Sequence, residues 1–248
     1  MAGAIAELAR YSLARDFRHI DPRRARILLV EAGPRILPAF PPSLADHAVQ
    51  VLTRLGVTVM TGQTVENVEA NSVTVGGRRV GAGTIIWGAG VKASPAAAWL
   101  GVTPDRMGRV AVNADLSVPG FDGVYAIGDT ALAKGPDGQP LPALAQVAHQ
   151  QGTHLGRALR ANLTAGTPLP PFKFHNRGNT AVIGRNSAVF DFGRWRLKGR
   201  IGWALWGIYH IYLLTGFDRR LLVVLQWLWS YATYQQGARL ITGDGGKR

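Results

Sequence analysis

Arg26-Ile27-Leu28-Leu29-Val30-Glu31 is a short, unbroken apolar run that closes on an acid. A strand covered on both faces reads as continuous Val, Ile and Leu rather than as an alternation, so this stretch is expected to be a buried parallel strand. Upstream, residues 1–16 carry Ile5, Leu8 and Leu13 at helical spacing and predict an amphipathic helix. Downstream come turn signals at Gly33-Pro34 and Pro41-Pro42, then a helix over 43–55 with Ser43 as N-cap and Gly56 just past its end. Val57–Met60 reads as a second strand, and Val65–Val80 as an antiparallel meander turning at Asn71-Ser72 and Gly76-Gly77. Thr84-Ile85-Ile86-Trp87 is expected to be a further strand, entering Gly88-Ala89-Gly90. Strand, helix, strand, hairpin, strand is the second half of a nucleotide-binding α/β unit.

Beyond this unit, an extended stretch at Gly123–Ile127 runs into Gly128-Asp129, and a helix is expected from Pro142 to Leu163. Residues 164–171 are rich in Pro and Gly and read as a linker; Val182–Phe190 reads as strand. The composition changes near residue 194: five of the seven Trp lie between 195 and 229, and Ile201–Phe217 and Leu221–Tyr234 are almost wholly apolar. No internal repeat or low-complexity tract interrupts the chain.

The bulk numbers narrow the function classes. At 47% apolar and 17% charged residues, the 248-residue chain can build a core and is not a highly charged disordered segment. Its formal net charge of +13 suits nucleic acid, anionic lipid or an anionic substrate. With no cysteine, disulfide frameworks, thiolate zinc sites, iron–sulfur clusters and redox-active cysteine pairs are excluded for these residues. The N-terminal stretch lacks a basic n-region and carries Glu7, so it is not expected to be a secretory signal.

Several motifs can carry chemistry, each beside a plainer reading. No G-x-G-x-x-G opens a helix, yet Glu31 ends a strand that follows a helix. A Rossmann unit places there the acid that bonds the ribose 2′-hydroxyl of NAD and disfavours the extra phosphate of NADP; the alternative is a solvated acid at a strand end. Gly128-Asp129 offers a close backbone approach and a carboxylate able to accept a hydrogen bond from a ribityl hydroxyl, or else an aspartate capping a turn. Gln146, His149 and Gln150 are three and four residues apart and share one helix face, as ligand contacts or as a polar surface. His19, His47, His154, His175 and His210 have no ligand-like spacing with carboxylates; they are read as structural, and no metal site is expected.

Taken together, Val30-Glu31-Ala32-Gly33-Pro34-Arg35-Ile36-Leu37, Trp87-Gly88-Ala89-Gly90-Val91, Val124-Tyr125-Ala126-Ile127-Gly128-Asp129 and Ala145-Gln146-Val147-Ala148-His149-Gln150-Gln151-Gly152 resemble type II NADH:quinone oxidoreductases. The tail from Gly216-Phe217-Asp218-Arg219-Arg220-Leu221 to Arg239-Leu240-Ile241-Thr242-Gly243 is similar too. The resemblance covers nearly the whole chain, although in that family two glycine-rich loops, for FAD and for NADH, precede the matching region. It implies an α/β, partial two-dinucleotide-binding (Rossmann-like) flavoprotein fold with a C-terminal helical membrane-binding region. Residues 1–108 would be part of the NADH-binding domain, 109–193 the C-terminal part of the FAD-binding domain with the quinone-site helix, and 194–248 the membrane anchor.

The resemblance also implies FAD and NAD(H) as cofactors and a membrane quinone as electron acceptor, without proton pumping. Glu31, Gly88, Ala89, Gly90, Gly128, Asp129, Ala145, Gln146 and Arg177 would bind cofactor, and Gln146, His149 and Gln150 would act at the flavin and quinone. His149 would be able to supply a proton to the reduced quinone. Many relatives have a lysine where Arg177 stands; arginine keeps the charge and changes the donor geometry. Disulfide reductases and sulfide:quinone reductases need cysteines that this chain lacks. An inactive membrane-binding fragment, or a subunit needing a complementary chain, is the alternative.

Residues 190–248 hold nine Lys/Arg against three acids, bracketing the apolar stretches. Basic flanks around Trp-, Tyr- and aliphatic-rich helices fit an anionic membrane interface better than nucleic acid. The expectation is a peripheral protein on the cytoplasmic face of the cell membrane, with a homodimer compatible. A buried helical hairpin and a true span are the alternatives, the second disfavoured because each stretch is shorter than the roughly 20 residues a span needs.

Overall fold

The computed structural model describes residues 1–15, 17, 19–213 and 217–233. In chain order the first elements are α1 (Ala2–Glu7), β1 (Ile27–Glu31), α2 (Pro42–Arg54), β2 (Val57–Thr61), β3 (Val65–Glu69), β4 (Ser72–Val75) and β5 (Arg78–Gly81). They are followed by α3 (Ala96–Leu100), β6 (Val110–Ala111), β7 (Ala131–Leu132), α4 (Ala145–Ala165), β8 (Asn179–Gly184), β9 (Ser187–Asp191), β10 (Arg196–Lys198), α5 (Gly199–Leu213) and α6 (Phe217–Thr233). The chain divides into two compact units, one built from residues 1–85 with the chain from 178 onward and the other from residues 86–177.

In the first unit the opening apolar run is a parallel strand: β1 pairs with β2 from Ile27 opposite Val57 to Glu31 opposite Thr61. The crossover helix α2 buries Leu44, Ala45, Ala48, Val51 and Leu52, a helical stripe that packs with Ala6, Val57, Ile183 and Val189 into one core. α2 begins after Pro41, so Ser43 lies inside its first turn and caps nothing. Prolines at the start of a helix preset φ and lack the N–H that would otherwise need an acceptor. The expected meander is present as β3-β4-β5, and β8, β9 and β10 form an antiparallel sheet. The N-terminal helix is shorter than expected, continuing as a π turn over Leu8–Ser12 and a 3₁₀ turn over Leu13–Arg15. Gly3 is buried where a Cβ would collide with the Ile183 carbonyl, so glycine lets α1 lie directly on β8.

The expected strand at Thr84–Trp87 does not form. Its backbone joins no ladder among the described residues, and Ile86 and Trp87 are exposed. An apolar run becomes a strand only when a neighbour satisfies its N–H and C=O groups, and none of the ladders among the described residues includes this stretch.

α5 packs on β9 and carries α6 against it, with Trp206 and Trp227 stacked at 5.8 Å. What these two helices leave outside is apolar. Ile201, Leu205, Ile208 and Tyr212 make an exposed stripe on α5, and Leu221, Leu222, Leu225, Leu228 and Trp229 one on α6. No helix among the described residues is long and apolar enough to cross a membrane. Tyr234 and the 239–243 motif lie outside the described residues.

In the second unit, β6 pairs in parallel with β7, and α4 starts at Ala145, three residues later than expected. Leu116, Ala133, Leu141, Val147 and Leu155 form the core under α4. The approach to α4 is fixed by an ion pair: Arg109 is 7% exposed, its Nη1 donates to the Leu141 carbonyl at 3.0 Å, and its Nη2 reaches Asp105 at 2.8 Å. The Asp105 carboxylate also accepts the N–H groups of Met107 and Arg109. Burial alone would raise the Asp105 carboxyl; hydrogen bonds from Arg109 and Met107 outweigh it and hold the group below its ordinary value of 3.8.

Two predictions follow from this packing. Leu44→Ala, at a side chain 2% exposed, lowers unfolding free energy by about 2–5 kcal/mol in urea denaturation; an unchanged midpoint would remove α2 from the core. Asp105→Ala strands a buried guanidinium and costs about 3 kcal/mol at neutral pH. Because the native carboxyl is depressed, its stabilisation is present above the ordinary carboxylate range and is lost as pH falls through its lowered value. The gap between wild type and Asp105→Ala therefore closes as pH drops below the ordinary value; a gap independent of pH would contradict the assignment.

Candidate functional site

Glu31 sits at the end of β1, half-buried, and its Oε1 accepts the Gly33 N–H at 2.8 Å. The turn thereby aims the side chain at the tip of the strand and leaves Oε2 for another donor. Gly88, Ala89 and Gly90 form an exposed loop in the second unit; Gly90 has φ of +100°, and nothing lies within 4 Å of where its Cβ would be.

The remaining sequence-derived positions gather on α4. Gly128–Thr130 forms a 3₁₀ turn whose Gly128 has φ of +64°, a left-handed conformation that favours glycine. Its N–H donates to Gln151 Oε1 at 2.6 Å, and a Cβ there would stand 3.3 Å from that of Ala148. The turn is thus pinned to the helix. Asp129 beside it is exposed, and its carboxylate takes part in no hydrogen bond or ion pair among the described residues.

Gln146 and Gln150 face elsewhere. Gln150 accepts the His175 N–H at 3.0 Å and donates Nε2 to the His175 carbonyl at 2.9 Å. Gln146 accepts the Arg177 N–H at 3.1 Å. One turn further along, His154 Nε2 lies 3.0 Å from the Pro170 carbonyl, and two turns beyond that Asn162 donates to Thr167 O at 2.9 Å. Positions 146, 150, 154 and 162 follow the i, i+4 row of one helix face. They zip the irregular segment 167–177 antiparallel along α4. With about 100° between successive residues, Ala148 and Gln151, which hold the Gly128–Thr130 turn, face away from Gln146 and Gln150 on α4, and Gln151 lies next to the His154 and Asn162 end of the row.

His149 is exposed on α4, and it lines, with Gln150, Thr153, Arg157 and Arg177, a groove of about 610 Å³. The Arg177 backbone is fixed by Gln146, while its side chain borders this groove. Ala145 opens α4, where first-turn N–H groups have no intrahelical acceptor. Among the described residues no group of acids and histidines could hold a metal ion.

Sequence reasoning passed over Gln151, which is wholly buried, with Oε1 on Gly128 and Nε2 without a protein partner. It also passed over His154 and Asn162 as members of the row. Their i+4 spacing is visible in the sequence; their acceptors, main-chain carbonyls in a Pro-rich stretch, carry no side-chain signal.

Residues 1–152 match the pyridine nucleotide-disulphide oxidoreductase family. The type II NADH:quinone oxidoreductase Ndh of Mycobacterium tuberculosis is 35% identical over 253 residues, covering 98% of this chain and 54% of that protein. The type II NADH:quinone oxidoreductase of Staphylococcus saprophyticus is 32% identical over 179 residues, covering 68% of this chain and 43% of that protein. The chain therefore spans about half the length of the curated relatives it matches. In fold it is similar to the NDH2 of Plasmodium falciparum solved in complex with NADH, with a TM-score of 0.79, 16% identity, and coverage of 93% of this chain and 62% of that one. The chain belongs to the pyridine nucleotide-disulphide oxidoreductase family, and the relatives it resembles in sequence include type II NADH:quinone oxidoreductases.

Proposed function

We propose that this chain contributes to electron transfer from NADH, through FAD, to a membrane quinone. The observation that carries the reading is the Gly128–Thr130 turn: Gln151 holds its backbone against α4 while the Asp129 carboxylate has no partner among the described residues. An exposed, unpaired acceptor on a turn fixed by a buried amide fits the ribityl chain of a flavin. The α4 N-terminus, from Ala145, adds amides and positive dipole for the flavin edge. A ring system reaching both Asp129 and Gln146 would lie across that end of the helix.

Bound FAD would supply the two-electron relay. The chain's own groups position and protonate. Glu31 offers its remaining oxygen to the ribose 2′-hydroxyl of NADH, and Gly88-Ala89-Gly90 lets a ligand approach main chain closely at the nicotinamide. Gln150 spends one amide proton on His175 and keeps one for a quinone carbonyl. His149, free of protein hydrogen bonds among the described residues, can pass a proton to the reduced quinone. Arg177 holds positive charge at the same edge. On this reading residues 1–108 serve NADH, 109–193 serve FAD and quinone, and the region from 194 serves the membrane. No step calls for proton pumping.

The exposed stripes of α5 and α6, with basic residues at Arg194, Arg196, Lys198, Arg200, Arg219 and Arg220, suit the anionic cytoplasmic surface of a membrane. A second reading, in which the chain binds membrane without turnover or acts only with a complementary chain, rests on the exposed apolar stripes of α5 and α6.

Flavin titration separates the two. FAD fluorescence is quenched on adding the purified chain, and Asp129→Ala weakens binding about tenfold or more; a chain that leaves FAD fluorescence unchanged supports the second reading. Ile208→Glu with Leu225→Glu abolishes flotation with anionic liposomes while circular dichroism is kept; unchanged flotation would remove α5 and α6 from the membrane contact.

A further inference from the structure

The groove beside α4 carries two cations, Arg157 and Lys173, that the proposed quinone reduction does not use. Its rim carries Arg157 from α4 and Lys173 and Arg177 from the zipped segment, and no carboxylate lines it. None of these three side chains forms an ion pair with a carboxylate among the described residues, although the second unit does pair Arg109 with Asp105. The floor is apolar, made by Ala158 together with Pro168, Pro170 and Phe172, the last ring packed edge-on to His154 at 5.5 Å. The segment that brings Lys173 and Arg177 to the rim is held by the Gln146, Gln150, His154 and Asn162 bonds, so the cations are presented by an anchored backbone.

Unpaired cations bordering a concave surface without acids concentrate positive potential there. Arginine and lysine together match phosphate, by fork and by point charge. The apolar floor below them matches a molecule whose phosphate is joined to hydrocarbon, whereas a free inorganic anion would leave that floor in water.

We propose that this groove is a binding site for the phosphate group of an anionic phospholipid, with the rim cations on the headgroup and the floor under the first part of an acyl chain. The site is distinct from the exposed stripes of α5 and α6; it borders the proposed quinone contact at His149, Gln150 and Arg177, while Arg157 and Lys173 have no part in that contact.

The test uses the 248-residue chain and a short-chain phosphatidylglycerol held below its micelle concentration, so that no bilayer forms. Binding is measured by calorimetry, beside the matching phosphatidylcholine and inorganic pyrophosphate. The expected result is saturable phosphatidylglycerol binding that weakens as salt rises and drops about tenfold in Arg157→Gln/Lys173→Gln. The thermal midpoint stays unchanged, both positions being exposed. Equal affinity of the double variant would overturn the site. Phosphatidylcholine binding as tightly as phosphatidylglycerol would overturn the role of charge. Pyrophosphate binding as tightly would overturn the lipid and leave a soluble phosphate compound as the ligand.

Discussion

The second unit depends on a row of side-chain hydrogen bonds along one face of α4. Gln146, Gln150, His154 and Asn162 each reach main-chain groups of residues 167–177, a stretch with no ladder or helix of its own. Such a stretch has backbone donors and acceptors that need partners, and α4 supplies them from every turn of this face except the one at Ala158. Each bond is worth about 1 kcal/mol net, so the row matters more for placement than for stability. It decides where Arg177 and Lys173 stand and therefore what borders the groove.

The same helix organises the proposed flavin contact through Gln151. Gln151 is buried and grips the Gly128 amide, and Asp129 follows from that grip. The division explains why one short motif carries three glutamines. Two face the zipped segment and the third faces the turn, so α4 acts as a spacer with distinct work on each flank. Arg109 and Asp105, joined to the Leu141 carbonyl, set the approach to its N-terminus.

Much of the fold was legible because hydrophobic patterning is local. The apolar run at Ile27–Glu31, the stripe of α2, the meander turning at Gly76-Gly77 and the length of α4 were read directly from residue order. Thr84–Trp87 was misread because a strand is a property of a pair, and its own composition does not show whether a neighbour exists. Ser43 was misread because prolines at 41 and 42 start the helix without a side-chain cap. At the candidate site, Gln146, His149 and Gln150 were found as one polar face, but periodicity cannot tell a ligand contact from a clamp on a distant main chain. For two of the three, the clamp is what the structure displays. The exposed character of α5 and α6 was foreshadowed by Trp and Arg content, whereas the individual outward stripes required the packing of α5 on β9.

Hydrogen exchange at two amides addresses the α4 row most directly. The His175 and Arg177 N–H groups donate to Gln150 and Gln146 although both residues are exposed. In the intact chain both amides should exchange slowly. Gln150→Ala should release His175, and Gln146→Ala should release Arg177, with the interior amides of α4 unaffected. Rapid exchange of both in the unaltered chain would contradict the account, because the glutamines of α4 would then not hold the end of the segment that carries Lys173 and Arg177.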